Sequence, residues 1–235
     1  VYLCRGKGLG GSSNINVMLY TRGAEADYDK WAEVCGDATW SGASMVEYFK
    51  RAEACLSKEN AGVGAWHGAE GPAAVSDVPY QHPLSKAFLE ACGDFGLPKN
   101  NDFNDWSKPQ VGYGRYQVSQ RGGERESAVT AYLGKDVRSR SNLDVVVGAT
   151  VGKINFDADK KATGVDLLLD GPDVKATVCL ADDADAEVVL AAGSVGSPQV
   201  LMLSGVGPEA DLKSHGISAV VDRPGVGQNL QDHPA

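Results

Sequence analysis

Apolar positions recur with two different periods along this 235-residue chain, and the period changes past its midpoint. The first half is helical in spacing. Val46, Phe49 and Ala52 recur at helical intervals, and Ser44 with Glu47 makes a capping box, which predicts a helix over residues 44–53. Leu84, Phe88, Cys92 and Phe95 mark a second helix, with Pro83 near its start and Gly96 past its end. Residues 127–133 read as a short third helix and residues 113–119 alternate as a strand does. A glycine-rich loop over 62–72 and a polar loop over 100–106 separate them. From Leu143 the period falls to two. Strands are expected at 143–147, 151–156, 162–169 and 174–180, with Asp157-Ala158-Asp159 and Asp170-Gly171-Pro172 as turns, giving an antiparallel meander. Residues 187–191 form a short continuous apolar run, which predicts a buried parallel strand. That run leads through Ala192-Gly193 into a helix expected from Ser197-Pro198 to Ser204. Strand, glycine turn and helix in succession is how open α/β sheets present a ligand site at their carboxyl edge.

Composition narrows the classes. An apolar fraction of 43% supports a core, and a net charge of −9 argues against nucleic acid or an anionic membrane as partner. Asp182, Asp183, Asp185 and Glu187 hold much of the acidic excess and read as a solvated loop. Five cysteines (Cys4, Cys35, Cys55, Cys92 and Cys179) have spacings that fit neither a zinc site nor a disulfide framework, so free and mostly buried thiols in a reducing compartment are expected. No apolar run is long enough to span a bilayer. Any targeting peptide would lie upstream of Val1, so the sequence leaves localisation open.

The chemistry concentrates at LGGSSNINVMLYTRGAEADYD, residues 9–29. Paired glycines let the backbone approach a flat or charged ligand closely, because no Cβ intrudes. Serine hydroxyls and bare N–H groups then face that ligand as donors. This run resembles the first signature of the glucose–methanol–choline (GMC) oxidoreductases, which hold FAD. The run GSVGSPQVLMLSGVGP, residues 193–208, resembles their second signature, and GVGQNLQDHPA, residues 225–235, a further family segment. The resemblance implies a Rossmann-like, α/β FAD-binding domain whose cofactor contacts come from Leu9, Gly11, Ser12, Ser13, Asn16, Val17, Met18, Leu19, Val151, Asp232 and His233. It places the turn at 9–16, and an apolar helix after it, beside the diphosphate and the isoalloxazine ring. Val151 would bond the adenine edge through its backbone, and Asp232 and His233 would support the cofactor.

The pattern begins in its middle. Gly6-Lys7-Gly8-Leu9-Gly10-Gly11 is not a dinucleotide fingerprint, since its glycines are out of place and no strand precedes it. The expectation is therefore an internal fragment lacking its first βα unit. It divides into residues 1–50 (FAD-binding, first part), 51–141 (flavin lid and start of an α+β substrate domain) and 142–235 (FAD-binding, second part, with the meander). His67, in a Trp-His-Gly loop, reads first as a structural, hydrogen-bonded histidine. His82 is expected at the surface and His215 at a helix end. No Ser-His-Asp order, HExxH or paired cysteine ligands appear, so neither a hydrolase nor a metal site is expected. By resemblance the catalytic base lies past residue 235, so no catalytic residue is expected here. The implied activity is oxidation of a small-molecule alcohol by hydride transfer to FAD. Residues 101–106 and 112–120 also resemble the algal branch that decarboxylates fatty acids under light. A degenerate, non-catalytic homologue is the third reading.

Overall fold

In the computed structural model, which describes residues 3–58, 64–169, 174–183 and 185–232, the first regular element is a 3-10 turn over Gly11–Asn14. The chain forms two units, Val1–Val145 and Val146–Ala235. The first runs β1 (Leu19–Tyr20), α1 (Glu25–Cys35), a 3-10 turn (Ala38–Trp40), α2 (Gly42–Ala52), β2 (Glu53–Cys55), β3 (Ala73–Val75), α3 (Pro83–Asp94), β4 (Gln117–Val118), β5 (Gln120–Arg121), β6 (Glu124–Arg125), α4 (Ala128–Tyr132) and α5 (Lys135–Arg138). Its strands pair as short ribbons. β1 lies antiparallel to β4, β2 parallel to β3, and β5 antiparallel to β6.

The predicted helices form, with shifted starts. α2 begins two residues early because Ser41, not Ser44, caps it. The Ser41 Oγ accepts from the Ser44 N–H at 3.4 Å, while the Ser44 hydroxyl turns away to the Ala38 carbonyl at 3.2 Å. α3 has Pro83 in its first turn, and the His82 Nδ1 accepts from the Leu84 N–H at 3.2 Å. Its stripe is not core, however. Leu84 and Phe88 are 73% and 68% exposed and line an open groove. α1 was not predicted. Glu25 and Asp27 suit its N-terminus, and Gly36, at φ 65°, ends it. The strand expected at 113–119 shrinks to β4, because β1 offers it only Leu19 and Tyr20 as partners. The packed centre combines Val46, Ala54, Ala74, Val75 and Val118 with buried Trp106. Tyr28, Phe49 and Trp66 surround that indole at centroid distances of 5.5, 6.2 and 6.2 Å, and its N–H reaches the Gly23 carbonyl at 2.9 Å.

The second unit holds the predicted meander. β7 (Ala149–Phe156), β8 (Ala162–Leu169) and β9 (Val174–Cys179) form an antiparallel sheet in that order. Lys160, at φ 65°, closes the turn after Asp157. The turn expected at 170–172 lies outside the described residues. α6 (Gly193–Leu203), β10 (Val206–Gly207), α7 (Glu209–Ser214) and β11 (Val221–Asp222) follow, with β10 and β11 parallel. Four expectations fail. Residues 143–147 and 187–191 form no strand, since no described strand lies alongside to complete a ladder, and Val189 is 80% exposed. α6 starts at Gly193, so Pro198 sits inside it and the Ser197 Oγ accepts from the Ala192 N–H at 3.0 Å. All five cysteines are free, but Cys4, Cys35 and Cys179 are exposed rather than buried. Among the described residues no helix is long and apolar enough to cross a membrane.

Candidate functional site

Glycine geometry shapes the loop at residues 6–19. Gly8, Gly10 and Gly11 take φ values of 119°, 92° and 52°, a region that residues with a Cβ enter only at a cost. A Cβ on Gly6 would overlap the Gly11 carbonyl, so the two strands of the loop touch backbone to backbone. The Gly6 N–H donates to the Ser12 Oγ at 3.2 Å, and the Asn14 amide donates to the Leu9 carbonyl at 2.7 Å. Ser13 is used inside the loop. Its hydroxyl donates to the Gly10 carbonyl at 2.5 Å and accepts from the Ala128 N–H, at the start of α4, at 2.9 Å.

No apolar helix follows, contrary to expectation. Met18 instead adopts φ 63°, and the chain passes at once into β1. A left-handed residue with a side chain costs about 1–3 kcal/mol and persists only where its surroundings over-determine it. Asn16 supplies part of that restraint, its Oδ1 accepting from the Met18 N–H at 3.1 Å and from the Arg125 Nη1 at 2.7 Å. Both partners can only donate, so the amide orientation is fixed, with Oδ1 inward and Nδ2 available. Val17, 76% exposed, projects beside it, and Leu19 forms one wall of the groove, about 520 Å³, that also includes Tyr80, Leu84, Phe88 and Tyr116. The loop thus presents bare backbone, an amide donor and an apolar side chain on one short segment.

Behind it lies an ionic cluster that the sequence reading missed. Arg22, Glu53, His67, Asp102 and Asn104 are all buried, Glu53 completely. The Glu53 carboxylate accepts from the Arg22 Nη2 at 2.8 Å, the Tyr20 hydroxyl at 2.7 Å and the Gly68 N–H at 3.0 Å, and meets the His67 Nδ1 at 2.7 Å. The other ring nitrogen of His67 lies 2.7 Å from the Asp102 Oδ2. Burial alone would lower the histidine pKa, but bonds to Asp102, Cys55 and Glu53 outweigh it and lift the value to about 11. Burial likewise pushes the Glu53 carboxyl up, and His67 and Arg22 more than reverse it, leaving the pKa below its ordinary value. Burial and the Glu53 charge raise the Tyr20 phenol. Two cations then face two carboxylates and the cluster is neutral. Asn104 ties it to the loop, its Oδ1 accepting from the Arg22 N–H at 2.9 Å and its amide donating to the Tyr20 carbonyl at 3.3 Å.

Ligand atoms of Glu53, Cys55 and His67 come within 4.8 Å of one another, as in a metal site. Both ring nitrogens are already engaged by carboxylates, and Arg22 supplies the positive charge a metal would bring. This is an ionic core, sealed from substrate. The one sequence signal for it was the Asn-Asp-Phe-Asn-Asp loop, whose i, i+2 bonds (Asn100 Oδ1 from Asp102 N–H at 2.8 Å, Asp102 Oδ1 from Asn104 N–H at 2.9 Å) are those of successive Asx turns.

Of the predicted cofactor residues, Leu9, Gly11, Ser12, Ser13, Asn16, Val17, Met18 and Leu19 share this one loop of the first unit. Val151 and Asp232 belong to the second. Val151, on β7, pairs with Leu167 of β8, just before a register shift, and Asp232 is exposed. His233 lies outside the described residues. His82 and His215 are exposed, each beside a helix terminus.

Comparison with known proteins converges on one family. The chain is 44% identical over 238 residues to the chloroplastic fatty acid photodecarboxylase of Chlamydomonas reinhardtii, covering 100% of this chain and 37% of that protein. It is 44% identical over 233 residues to an alcohol dehydrogenase [acceptor] of Pseudomonas putida, covering 97% of this chain and 39% of that one. Among solved structures, an FAD-dependent oxidoreductase from Chaetomium thermophilum matches with a TM-score of 0.85 and 34% identity, over 97% of this chain and 39% of that one. The chain therefore spans well under half the length of these relatives. The model of the GMC oxidoreductases matches residues 1–235 from end to end. On that match over its whole length, the chain belongs to the GMC oxidoreductase family.

Proposed function

We propose that the loop from Leu9 to Leu19 holds FAD, and that the whole protein oxidises an alcohol. The observation that carries this reading is the conformation at Asn16–Met18. A strained backbone, an oriented Asn16 Nδ2 and the exposed Val17 side chain stand together on a segment whose glycines leave its surface bare. That arrangement fits a flat, hydrogen-bonding ring system with a diphosphate tail. Gly11 and Ser12 suit the diphosphate end, Asn16, Val17, Met18 and Leu19 the ring, and by family resemblance Val151, Asp232 and His233 complete the site. In this reading residues 1–50 and 142–235 contribute to a Rossmann-like FAD-binding domain, and residues 51–141 make the flavin lid and begin the substrate domain. FAD, when bound, supplies an acceptor for hydride. The protein's residues place and shield it. His67 is locked between carboxylates, and His82 and His215 are at helix ends, so the base that takes the substrate hydroxyl proton is assigned to none of them.

The photodecarboxylase relative covers the entire chain and supports a second reading, light-driven loss of CO2 from a fatty acid. One preparation separates the readings. The full-length protein is purified and its visible spectrum recorded. It is then assayed in the dark with alcohols and an electron acceptor, and under blue light with fatty acid for CO2 release. Bound FAD with alcohol-dependent acceptor reduction supports the first reading, and CO2 release that needs light supports the second. A colourless protein that takes up no FAD overturns both and leaves a degenerate homologue.

A further inference from the structure

The segment that would meet the cofactor is not held by its own bonds alone. Further restraints come from more than a hundred residues later in the chain. One terminal nitrogen of Arg125, Nη1, donates to the Asn16 Oδ1 at 2.7 Å and to the Ser13 carbonyl at 3.1 Å. The same Asn16 oxygen accepts from the Met18 N–H, the bond that accompanies the left-handed turn at Met18. Arg125 stands on β6 of a hairpin whose turn, Gly122-Gly123, takes φ values of 61° and 86°, as a tight two-residue connection requires. The hairpin adds a neighbouring contact, the Gln120 amide reaching the Met18 sulfur at 3.5 Å, and the Ser119 N–H holds the Met18 carbonyl at 2.8 Å. Two residues past Arg125 the Ser127 cap opens α4, whose Ala128 N–H reaches the Ser13 hydroxyl.

We propose that Arg125 is a positioning residue. It clamps the Ser13 carbonyl and the Asn16 amide, and so fixes the Asn16–Leu19 backbone in the one conformation that meets the flavin ring. Arg125 acts through Asn16 and Ser13 rather than on the ligand. The positive charge matters because both acceptors converge on a single nitrogen. A guanidinium can satisfy both without giving up its charge, and it cannot reverse its role and accept. The αL geometry at Met18 then depends on a residue of another element, and the presentation of the Asn16 Nδ2 and the Val17 side chain depends on the same residue. The flavin part of this inference rests on the function proposed above. The clamp itself does not.

The test uses the full-length protein and four forms of it: wild type, Arg125→Ala, Arg125→Lys and Arg121→Ala. The last removes the hairpin's ion pair with Glu126 and touches neither Ser13 nor Asn16. Amide hydrogen exchange at Met18 in the FAD-free protein reads the clamp. FAD dissociation constant and the shape of the bound flavin's visible bands read its consequence. Arg125→Ala should speed Met18 exchange at least tenfold, weaken FAD at least tenfold and alter the flavin bands, with the apoprotein's melting temperature within a few degrees of wild type. Arg125→Lys, with three donors on a shorter stem, should recover most of each loss, and Arg121→Ala should resemble wild type. Native exchange and native FAD affinity in Arg125→Ala would overturn the proposal, as would an equal loss in Arg121→Ala. A wild type that binds no FAD removes the functional reading, and Met18 exchange then decides the clamp alone.

Discussion

Replacing His67 with glutamine tests whether the ionic core is built on an imidazolium. The ring is 3% exposed and spans 2.7 Å contacts to Glu53 and Asp102. Removing one member of a buried ion pair typically costs about 3–5 kcal/mol, because the partner charge stays buried. Glu53 keeps Arg22, Tyr20 and the Gly68 N–H, so the loss falls mainly on Asp102, and about 3 kcal/mol is expected near neutral pH. The pH dependence is the sharper part. The folded-state pKa of about 11 lies above the unfolded value of 6.5, so protonation of His67 stabilises the fold fully below 6.5 and progressively less up to about 11. Each pH unit in that window is worth at most about 1.4 kcal/mol. Between about pH 7 and about pH 9 the wild type should therefore lose roughly 2–3 kcal/mol of its advantage over His67→Gln. Urea unfolding of both proteins at the two pH values measures the gap. A gap that stays constant with pH would show a neutral histidine in the folded protein and refute the imidazolium.

Two further substitutions probe the loop and the second unit. Asn16→Leu should lower both stability and flavin retention, because it releases the Met18 N–H and Arg125 together, at a cost of about 1 kcal/mol since the freed groups are exposed to water. Asn16→Asp keeps the acceptor and should retain the stability, and equal melting temperatures for leucine and wild type would contradict this. Ser204→Ala should destabilise the second unit by about 1–3 kcal/mol, since the buried Ile154 N–H, bonded to the Ser204 Oγ at 2.8 Å, loses its acceptor. Thermal unfolding unchanged by that substitution would show that Ile154 finds another partner.

Local pattern carried much of the fold. α2, α3 and α4, and the three strands of the meander, were legible because their apolar spacing and their turn or cap residues agree within a dozen positions. α1 escaped notice because its sequence, Glu-Ala-Asp-Tyr-Asp-Lys-Trp-Ala-Glu-Val-Cys, mixes charges into every turn and buries no residue. The run at 187–191 misleads for the opposite reason. A continuous apolar run predicts a strand only where neighbours supply ladder partners, and among the described residues none does.

For the site, the chain by itself determined the glycine loop and the family, because a backbone that must come close to a ligand needs glycine at fixed positions. Tertiary structure alone decided how that loop is held and what lies behind it. Arg125 joins Asn16 across 109 positions and Asn104 joins Arg22 across 82, pairings that no local period announces. Tertiary structure also decided the role of His67. A histidine in a Trp-His-Gly loop reads the same whether it catalyses or holds the core, and only two carboxylates from distant elements, closing on its two nitrogens out of reach of water, make it a buried cation.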